Sequence, residues 1–419
     1  MQEPPIGIDL FAGAGGLSLG FEQAGFAVLA AVEYDPIHAA THEFNFPGCA
    51  TICRSVAEID AYYIRTNSTI AHKDVDVVFG GAPCQGFSMI GKRALEDPRN
   101  HLVYHFVRIV SELKPKFFIF ENVRGLTLGE HKKFLREIIT EFKAKGYKVQ
   151  ENYQVLNALN FGVPQDRQRL FLMGAREDQH LPAYPIPTHE LPGANLSLGY
   201  AQTTPTVWDA IGDLPEADDY AELLERDWVE ADFERPSPYA KCLRVGTAKT
   251  RSLLTSSMRT IHSPLSRQRF ESTASGDTEP VSRFLKLDPN GVCNTIRAGT
   301  ASDRGAFTSP RPIHPFSPRC ITVREAARLH SYPDWFRFHV TKWHGFRQVG
   351  NSVPPLLGQA VASKIMEKVG EQIETGKPRS VGDPVLLELK MSDAAGRYGV
   401  SASVIPHRIR RVEPEKGNA

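Results

Sequence analysis

No part of this 419-residue sequence approaches the ~20 consecutive apolar residues of a membrane-spanning helix, which argues against a membrane-embedded protein. The opening Met1-Gln2-Glu3-Pro4-Pro5 lacks a basic segment followed by an apolar one, so no secretory signal is expected. The six cysteines (Cys49, Cys53, Cys84, Cys242, Cys293, Cys320) include no C-x-x-C pair. That removes the usual spacing for a four-ligand zinc site and gives no disulfide framework; a reducing cytoplasm is the expected location, with no metal. Strong net charge is lacking too, since 49 Lys and Arg against 48 Asp and Glu leave +1. The charge is unevenly spread. Ten acidic residues fall between Asp213 and Glu234, whereas Lys241 to Arg319 carries thirteen Lys and Arg against five acids. Such a local excess can hold phosphates in a neutral protein, although a solvated surface has the same composition. What is present is ordinary globular composition, 41% hydrophobic and 23% charged, in a chain long enough for two domains, one of them large.

The stretch Phe79-Gly80-Gly81-Ala82-Pro83-Cys84-Gln85-Gly86-Phe87-Ser88 follows a short β-branched run, Val75 to Phe79, that reads as a covered parallel strand. Gly80 and Gly81 end the strand. Pro83 fixes its own φ and pushes Ala82 toward an extended conformation, so the next side chain is presented in one direction. Cys84 is therefore the candidate nucleophile; the alternative is a buried apolar cysteine.

Nearer the N-terminus, Ile6 to Phe11 reads as a strand, and Ala12-Gly13-Ala14-Gly15-Gly16 as a glycine-rich turn into a helix from Leu17 to Ala24. A second strand, Val28 to Val32, ends at Glu33-Tyr34-Asp35. Glu33 stands twenty residues after Gly13, where a carboxylate can accept hydrogen bonds from both hydroxyls of a ribose. The pattern is G-x-G-G and lacks the later glycine of a dinucleotide fingerprint, so it points to a nucleoside cofactor or merely to a tight turn.

After Cys84 the polar stretch Gly86 to Asn100 reads as a loop, and His101 to Leu113 as an amphipathic helix. Phe117 to Phe120 is the next buried strand, with Glu121-Asn122-Val123 at its carboxyl end. A β-α-β crossover makes the two strands parallel, so Cys84 and Glu121 share the rim at which ligands bind. Gly129 to Phe142 reads as helix and Tyr147 to Leu156 as one strand. In Gln165-Asp166-Arg167-Gln168-Arg169, the two arginines lie two apart in extended chain and face one side. Two guanidinium groups entering a buried strand need anionic or carbonyl partners, whether structural or functional.

With Pro83-Cys84-Gln85-Gly86-Phe87-Ser88, then Glu121-Asn122-Val123, then Gln165 to Arg169 in this order, the chain resembles the DNA (cytosine-5)-methyltransferase family. Its Phe11-Ala12-Gly13-Ala14-Gly15-Gly16 is similar to that family's S-adenosyl-L-methionine motif. Ile321 to His330 and Gln348 to Pro355 are similar to its two C-terminal motifs. The resemblance implies a doubly wound, mostly parallel α/β catalytic domain with a smaller target-recognition domain: residues 1–180 and 319–375 catalytic, 181–318 recognition with linkers, and 376–419 an unassigned extension. It implies Cys84 as the thiolate, Glu121 as the contact to the base N3, Arg169 on the base carbonyl and Arg167 holding the site. Phe11, Gly13, Gly15, Gly16, Leu17, Glu33, Tyr34, Pro83, Leu102, Asn351 and Ser352 are the expected cofactor-binding residues. Gln85, Ser88, Lys92, Arg93 and Arg297 are the expected DNA contacts, Arg297 from Asn294-Thr295-Ile296-Arg297, which is similar to a short motif of the recognition domain.

One departure stands out. Where the family usually has an acid near the end of the third strand, this chain reads Cys53-Arg54-Ser55-Val56. Ser55 can accept a hydrogen bond but carries no charge.

The resemblance further implies a monomer acting on double-stranded DNA, with a cognate restriction endonuclease as a possible functional partner. An RNA cytosine-5 methyltransferase would share the chemistry, and the large basic insert favours DNA. A non-catalytic DNA-binding regulator would not need every chemical position, and all are present. The [S/N/D]-P-P-[Y/F] run of amino-group methyltransferases does not occur. Toward the end, Thr322 with Glu325 forms a capping-box pattern, Asn351-Ser352 is expected to cap a last helix ending at Gly370, and Val385 to Leu389 reads as a strand.

Overall fold

Short apolar strands alternate with helices from residue 6 onward: β1 (Ile6–Leu10), α1 (Gly16–Gln23), β2 (Ala27–Val32), α2 (Pro36–Asn45), β3 (Ala50–Ile52), α3 (Ala61–Thr66), β4 (Val77–Gly80), α4 (His101–Leu113) and β5 (Phe117–Val123). This is a computed structural model, and it describes residues 3–83, 101–129, 131–191, 202–244, 253–299, 311–370 and 380–405. Helical crossovers of this kind force parallel pairing, and β3, β2, β1, β4 and β5 lie side by side and parallel in that order. Then α5 (His131–Ala144) leads to β6 (Tyr147–Val149), β7 (Gln154–Asn157) and β8 (Gln168–Arg176). Strand β8 runs antiparallel to β5, β6 and β7 and completes the sheet.

Side chains leave a strand on alternate faces, and β5 divides accordingly. Phe117 and Ile119 join one core with Phe21, Phe79, Phe171 and Met173, while Phe118 and Phe120 join the other with Val78, Phe106, Leu170 and Leu172. Aromatic stacking reinforces both layers, with Phe21 on Phe79 at 3.6 Å between ring centroids and Phe118 on Phe142 at 3.8 Å. Each fully buried Phe contributes roughly 1.5–3 kcal/mol relative to exposure, so neither face tolerates a polar substitution cheaply.

The first layer is built from both ends of the chain. Helix α1 packs along a late helix, Pro355–Val369, so closely that a Cβ on Gly20 would come within 2.7 Å of Pro355 O and Gln359 N. The intervening chain carries α6 (Val207–Ile211), α7 (Pro238–Leu243), α8 (Pro264–Ser272), α9 (Val323–Arg328) and α10 (Lys342–Asn351); the late helix is α11 and Met391–Tyr398 is α12. Both ends of the stretch expected to recognise the target enter this core, through Val207, Ala210 and Ile211 and through Leu287, Cys293 and Ile296. Between them lie smaller clusters, one around Leu223, Val229 and Leu254 and one around Phe270, Ile313 and Cys320. Among the described residues, no helix is long and apolar enough to cross a membrane.

Three expectations need correction. The single strand Tyr147 to Leu156 is two: Val149 pairs with Gly174 and Gln154 with Phe171, so five steps of chain face three on β8 and the polar residues between loop out. Asn351-Ser352 does not cap the last helix. Asn351 ends α10 and Ser352 is its C-cap, because the residues before Pro354 and Pro355 are pushed toward extended backbone, and α11 starts at Pro355. Val385 to Leu389 is not a strand either. Pro384–Leu387 is a 3-10 turn started by Asp383, whose carboxylate accepts from the Val385 amide. The Thr322–Glu325 capping box is present as expected.

Candidate active site

Strand order reverses between β1 and β4, since the chain first moves outward through β2 and β3 and then returns to the other side of β1. A crevice opens at such a switch point beyond the carboxyl ends of the strands, and the glycine turn after β1 and residues 81–83 after β4 flank it.

On the first side, Phe11 leaves β1 with φ of 65° and the turn closes through Gly15 N to Ala12 O. Gly13 N donates to Glu33 Oε2 at 2.7 Å and Asp35 N to Glu33 Oε1 at 2.8 Å. Glu33 is thus held rigidly after β2 while part of it stays open to solvent. Burial pushes its carboxyl above the ordinary range, against the pull of His38 and the two amides. A Cβ placed on Gly13 would meet nothing within 4 Å, so the turn borders open space beside the Glu33 carboxylate. Tyr34 is 43% exposed next to it. Phe11 and Leu102, the second residue of α4, both rest half-buried on the second core. Gly15, Gly16 and Leu17 form the turn into α1.

Beneath this turn lies a polar chain that sequence reasoning missed. Ser18 Oγ donates to Asp9 Oδ2 at 2.6 Å and lies 3.1 Å from His42 Nε2, whose Nδ1 is 3.1 Å from Thr51 Oγ1. Burial pushes the Asp9 carboxyl up to about 8 despite the Ser18 bond, and Glu33 and Glu121 push it further. Burial also drives His42 down to about 3, so its ring is neutral. The signal was available: Asp9 is a lone acid in the apolar run Ile6-Gly7-Ile8-Asp9-Leu10.

On the second side, Glu121 lies near the carboxyl end of β5, followed by buried Asn122 and exposed Val123. Its Oε1 accepts from Arg169 Nε at 2.9 Å. Its other oxygen lies so near Gly81 that a Cβ there would come within 2.3 Å, which is why this position takes glycine. Asn122 Nδ2 donates to Ala82 O at 3.0 Å and pins the start of the loop to β5. Burial raises the Glu121 carboxyl above its usual range, while Arg169 and then Arg167 oppose that. A carboxyl so placed is biased toward its protonated form. Pro83 is the last described residue before the gap. Cys84, Gln85, Ser88, Lys92 and Arg93 lie outside the described residues.

The two arginines divide their work. Arg167 is fully buried, and its guanidinium donates to backbone carbonyls: Ile296 O at 2.8 Å, and Gly350 O and Ser352 O at 2.7 Å each. It ties three chain segments together behind the site. Gln165 and His330, also missed, extend this knot. Gln165 Nε2 lies 2.9 Å from His330 Nδ1, Ile296 N donates to Gln165 Oε1, and His330 Nε2 lies 3.1 Å from Ser352 O. A carbonyl partner requires Nε2 to carry the proton, so Nδ1 accepts from Gln165. Burial lowers the His330 pKa well below its ordinary value and keeps this tautomer neutral. Ser352 enters through its backbone carbonyl and Asn351 is exposed. Arg297 is exposed beside this knot, not in it.

A doubly wound sheet with a glycine turn and its tethered carboxylate on one lip of the switch-point crevice and a buried acid–arginine pair on the other has the layout of an α/β enzyme. The profile of C-5 cytosine-specific DNA methylases matches residues 7–367, and the chain belongs to that family; it is a DNA (cytosine-5-)-methyltransferase. It is 58% identical to the type II methyltransferase M.XorII of Xanthomonas oryzae pv. oryzae, over 98% of this chain and 96% of that one. It is 37% identical to M1.HphI of Haemophilus parahaemolyticus over 86% of each. Among solved structures it is similar to a protein described as a DNA modification methyltransferase encoded within an E. coli prophage. The TM-score is 0.71 at 33% identity, covering 88% of this chain and 100% of that one.

Proposed function

We propose that this chain transfers a methyl group from S-adenosyl-L-methionine to C5 of a cytosine swung out of double-stranded DNA, through a covalent bond between Cys84 Sγ and C6. The observation that carries this reading is Glu121, a buried carboxyl of raised pKa held by Arg169 and lying over Gly81, three residues before Cys84. Cytosine C5 is a weak nucleophile. Addition of the Cys84 thiolate to C6 breaks the C5=C6 π bond, and a proton from Glu121 at N3 neutralises the charge that would build on the ring. C5 then has enamine character. Arg169 holds the Glu121 carboxyl toward the base, and Arg167 fixes the backbone behind it. Once C5 carries the methyl group, it gives up its proton to solvent as the C6–Sγ bond breaks; the ring regains its double bond and N3 returns its proton to Glu121.

S-adenosyl-L-methionine, when bound, supplies the electrophilic methyl group. The residues present fit it: the Gly13 turn borders open space, and Glu33 keeps lone pairs free for ribose hydroxyls after taking one amide on each oxygen. The target atoms are inaccessible in stacked duplex, so the base must leave the helix to reach this crevice. We assign sequence recognition to residues 181–318, since the groups at the crevice address only the flipped base. The type II relatives support placing the enzyme in a restriction–modification system with a separate cognate endonuclease.

The test is to incubate the protein with duplex DNA and S-adenosyl-L-methionine and read the product by bisulfite sequencing. Protection of one cytosine within a fixed sequence is the expected result. Methylation on an exocyclic amine, or of tRNA but not DNA, would overturn it.

A further inference from the structure

Residues 380–405 lie past the family match, yet they are built onto the rim of the cofactor crevice. The turn at Pro384–Leu387 places Leu386 and Leu387 in one apolar cluster with Ala40 and Phe44 of α2. Gly382 N donates to Phe44 O at 2.7 Å, and Val340 N to Leu387 O at 3.0 Å. Helix α12 grips Glu43 of α2 through Arg397 and through Tyr398 Oη, the latter at 2.6 Å. Two further bonds reach the crevice. Tyr34 Oη donates to Val404 O at 2.8 Å, and the Arg54 guanidinium donates to Tyr398 O at 2.8 Å and Cys53 O at 2.7 Å.

Sheet order fixes what those two side chains face. The methyl group must reach the β4–β5 side, where Glu121 and Pro83 stand, while the ribose acid Glu33 follows β2. The adenine end of the nucleoside therefore extends away from β4, past β2 toward β3. Tyr34 is the residue after Glu33, and Arg54 lies two residues beyond β3. The Tyr34 ring is partly exposed while its hydroxyl is anchored, so a face is left for a planar base.

We propose that residues 380–404 form a wall of the S-adenosyl-L-methionine site, with Tyr34 and Arg54 as positioning residues that bind this segment and thereby fix the β2 and β3 loops against the adenine end. The inference rests on the cofactor assignment above. It gives the C-terminal extension a role in cofactor affinity and none in DNA affinity.

The test is calorimetric titration of the full-length protein with S-adenosylhomocysteine. Tyr34→Phe removes one hydrogen bond and should weaken binding roughly threefold to tenfold; Arg54→Ala removes charge-assisted bonds and should weaken it about tenfold or more. Arg54→Lys should recover part of the loss. The KM for S-adenosyl-L-methionine should rise with kcat nearly unchanged, and DNA affinity without cofactor should match wild type. Should Arg54→Ala melt early, Tyr34→Phe, which deletes a single oxygen, decides. Wild-type protein that fails to bind S-adenosylhomocysteine would overturn the cofactor assignment itself. Wild type that binds it, with both variants binding equally well, would overturn the wall alone.

Discussion

Glu33 uses each carboxylate oxygen once on a backbone amide, so the geometry of the Gly13 turn and of the Asp35 loop depends on one side chain, the one proposed to hold the ribose. Replacing it with alanine should cost roughly 1.5–3 kcal/mol of cofactor affinity, the usual value of a charge-assisted hydrogen bond. Calorimetry that finds S-adenosyl-L-methionine binding unchanged in Glu33→Ala would remove the residue from the site. Asp9 makes a different prediction, because burial raises its pKa to about 8. Between its ordinary value near 3.9 and about 8, the folded state holds a proton that the unfolded state has lost. Its contribution to stability is therefore full below about 4 and is lost progressively as pH rises from there to about 8, the folded pKa. Between pH 5 and 8 the melting temperature of wild type should fall more steeply with pH than that of Asp9→Asn. Parallel curves would show that the Asp9 pKa is not raised in the folded protein.

The elements that were legible in the sequence are those whose pattern has one physical solution. Strands β1, β4 and β5 are continuous apolar runs followed by turn residues, and with helical crossovers between them they can only be parallel and buried. This alone puts Glu33 and Glu121 at the carboxyl ends of their strands; Cys84, expected on the same rim, lies outside the described residues. Residues that needed the fold were not legible: Gln165 and His330 are far apart in sequence, and only packing shows that they share a proton tautomer. The charge pattern was legible in the sequence, and the ion pairs within it were not. Three acids of the run from Asp213 to Glu234 are ion-pairing partners for the basic stretch after it. Arg244 pairs with Asp213, Arg259 and Arg267 with Asp218, and Arg319 with Glu216. These guanidinium groups are spent within the protein. Arg267→Ala should accordingly leave the salt dependence of DNA binding unchanged and cost under about 1 kcal/mol of stability, as a partly exposed pair does. Arg297 is exposed, and Arg297→Ala should weaken DNA binding and reduce the slope of log K against log salt by about one. Equal slopes for Arg297→Ala and wild type would take Arg297 off the phosphates.

At the scale of the molecule, the crevice is assembled from segments that start at residue 6 and end beyond residue 400. Helix α1 lies on α11, Arg167 binds the carbonyls of Ile296, Gly350 and Ser352, and Tyr34 reaches Val404. A site closed in this way keeps its acid, its arginine and its cofactor cradle in fixed register, as needed if a thiolate is to meet C6 while N3 meets a carboxyl. The central claim is that Cys84 forms that bond. Duplex DNA carrying 5-fluorocytosine at the methylated position blocks the final loss of the C5 proton, so the protein should be trapped on it when S-adenosyl-L-methionine is present. Mass spectrometry of the digested complex should find the nucleotide on Cys84, and Cys84→Ala should bind the same DNA without forming an adduct. Attachment at another residue, or full methyl transfer by Cys84→Ala, would contradict the account.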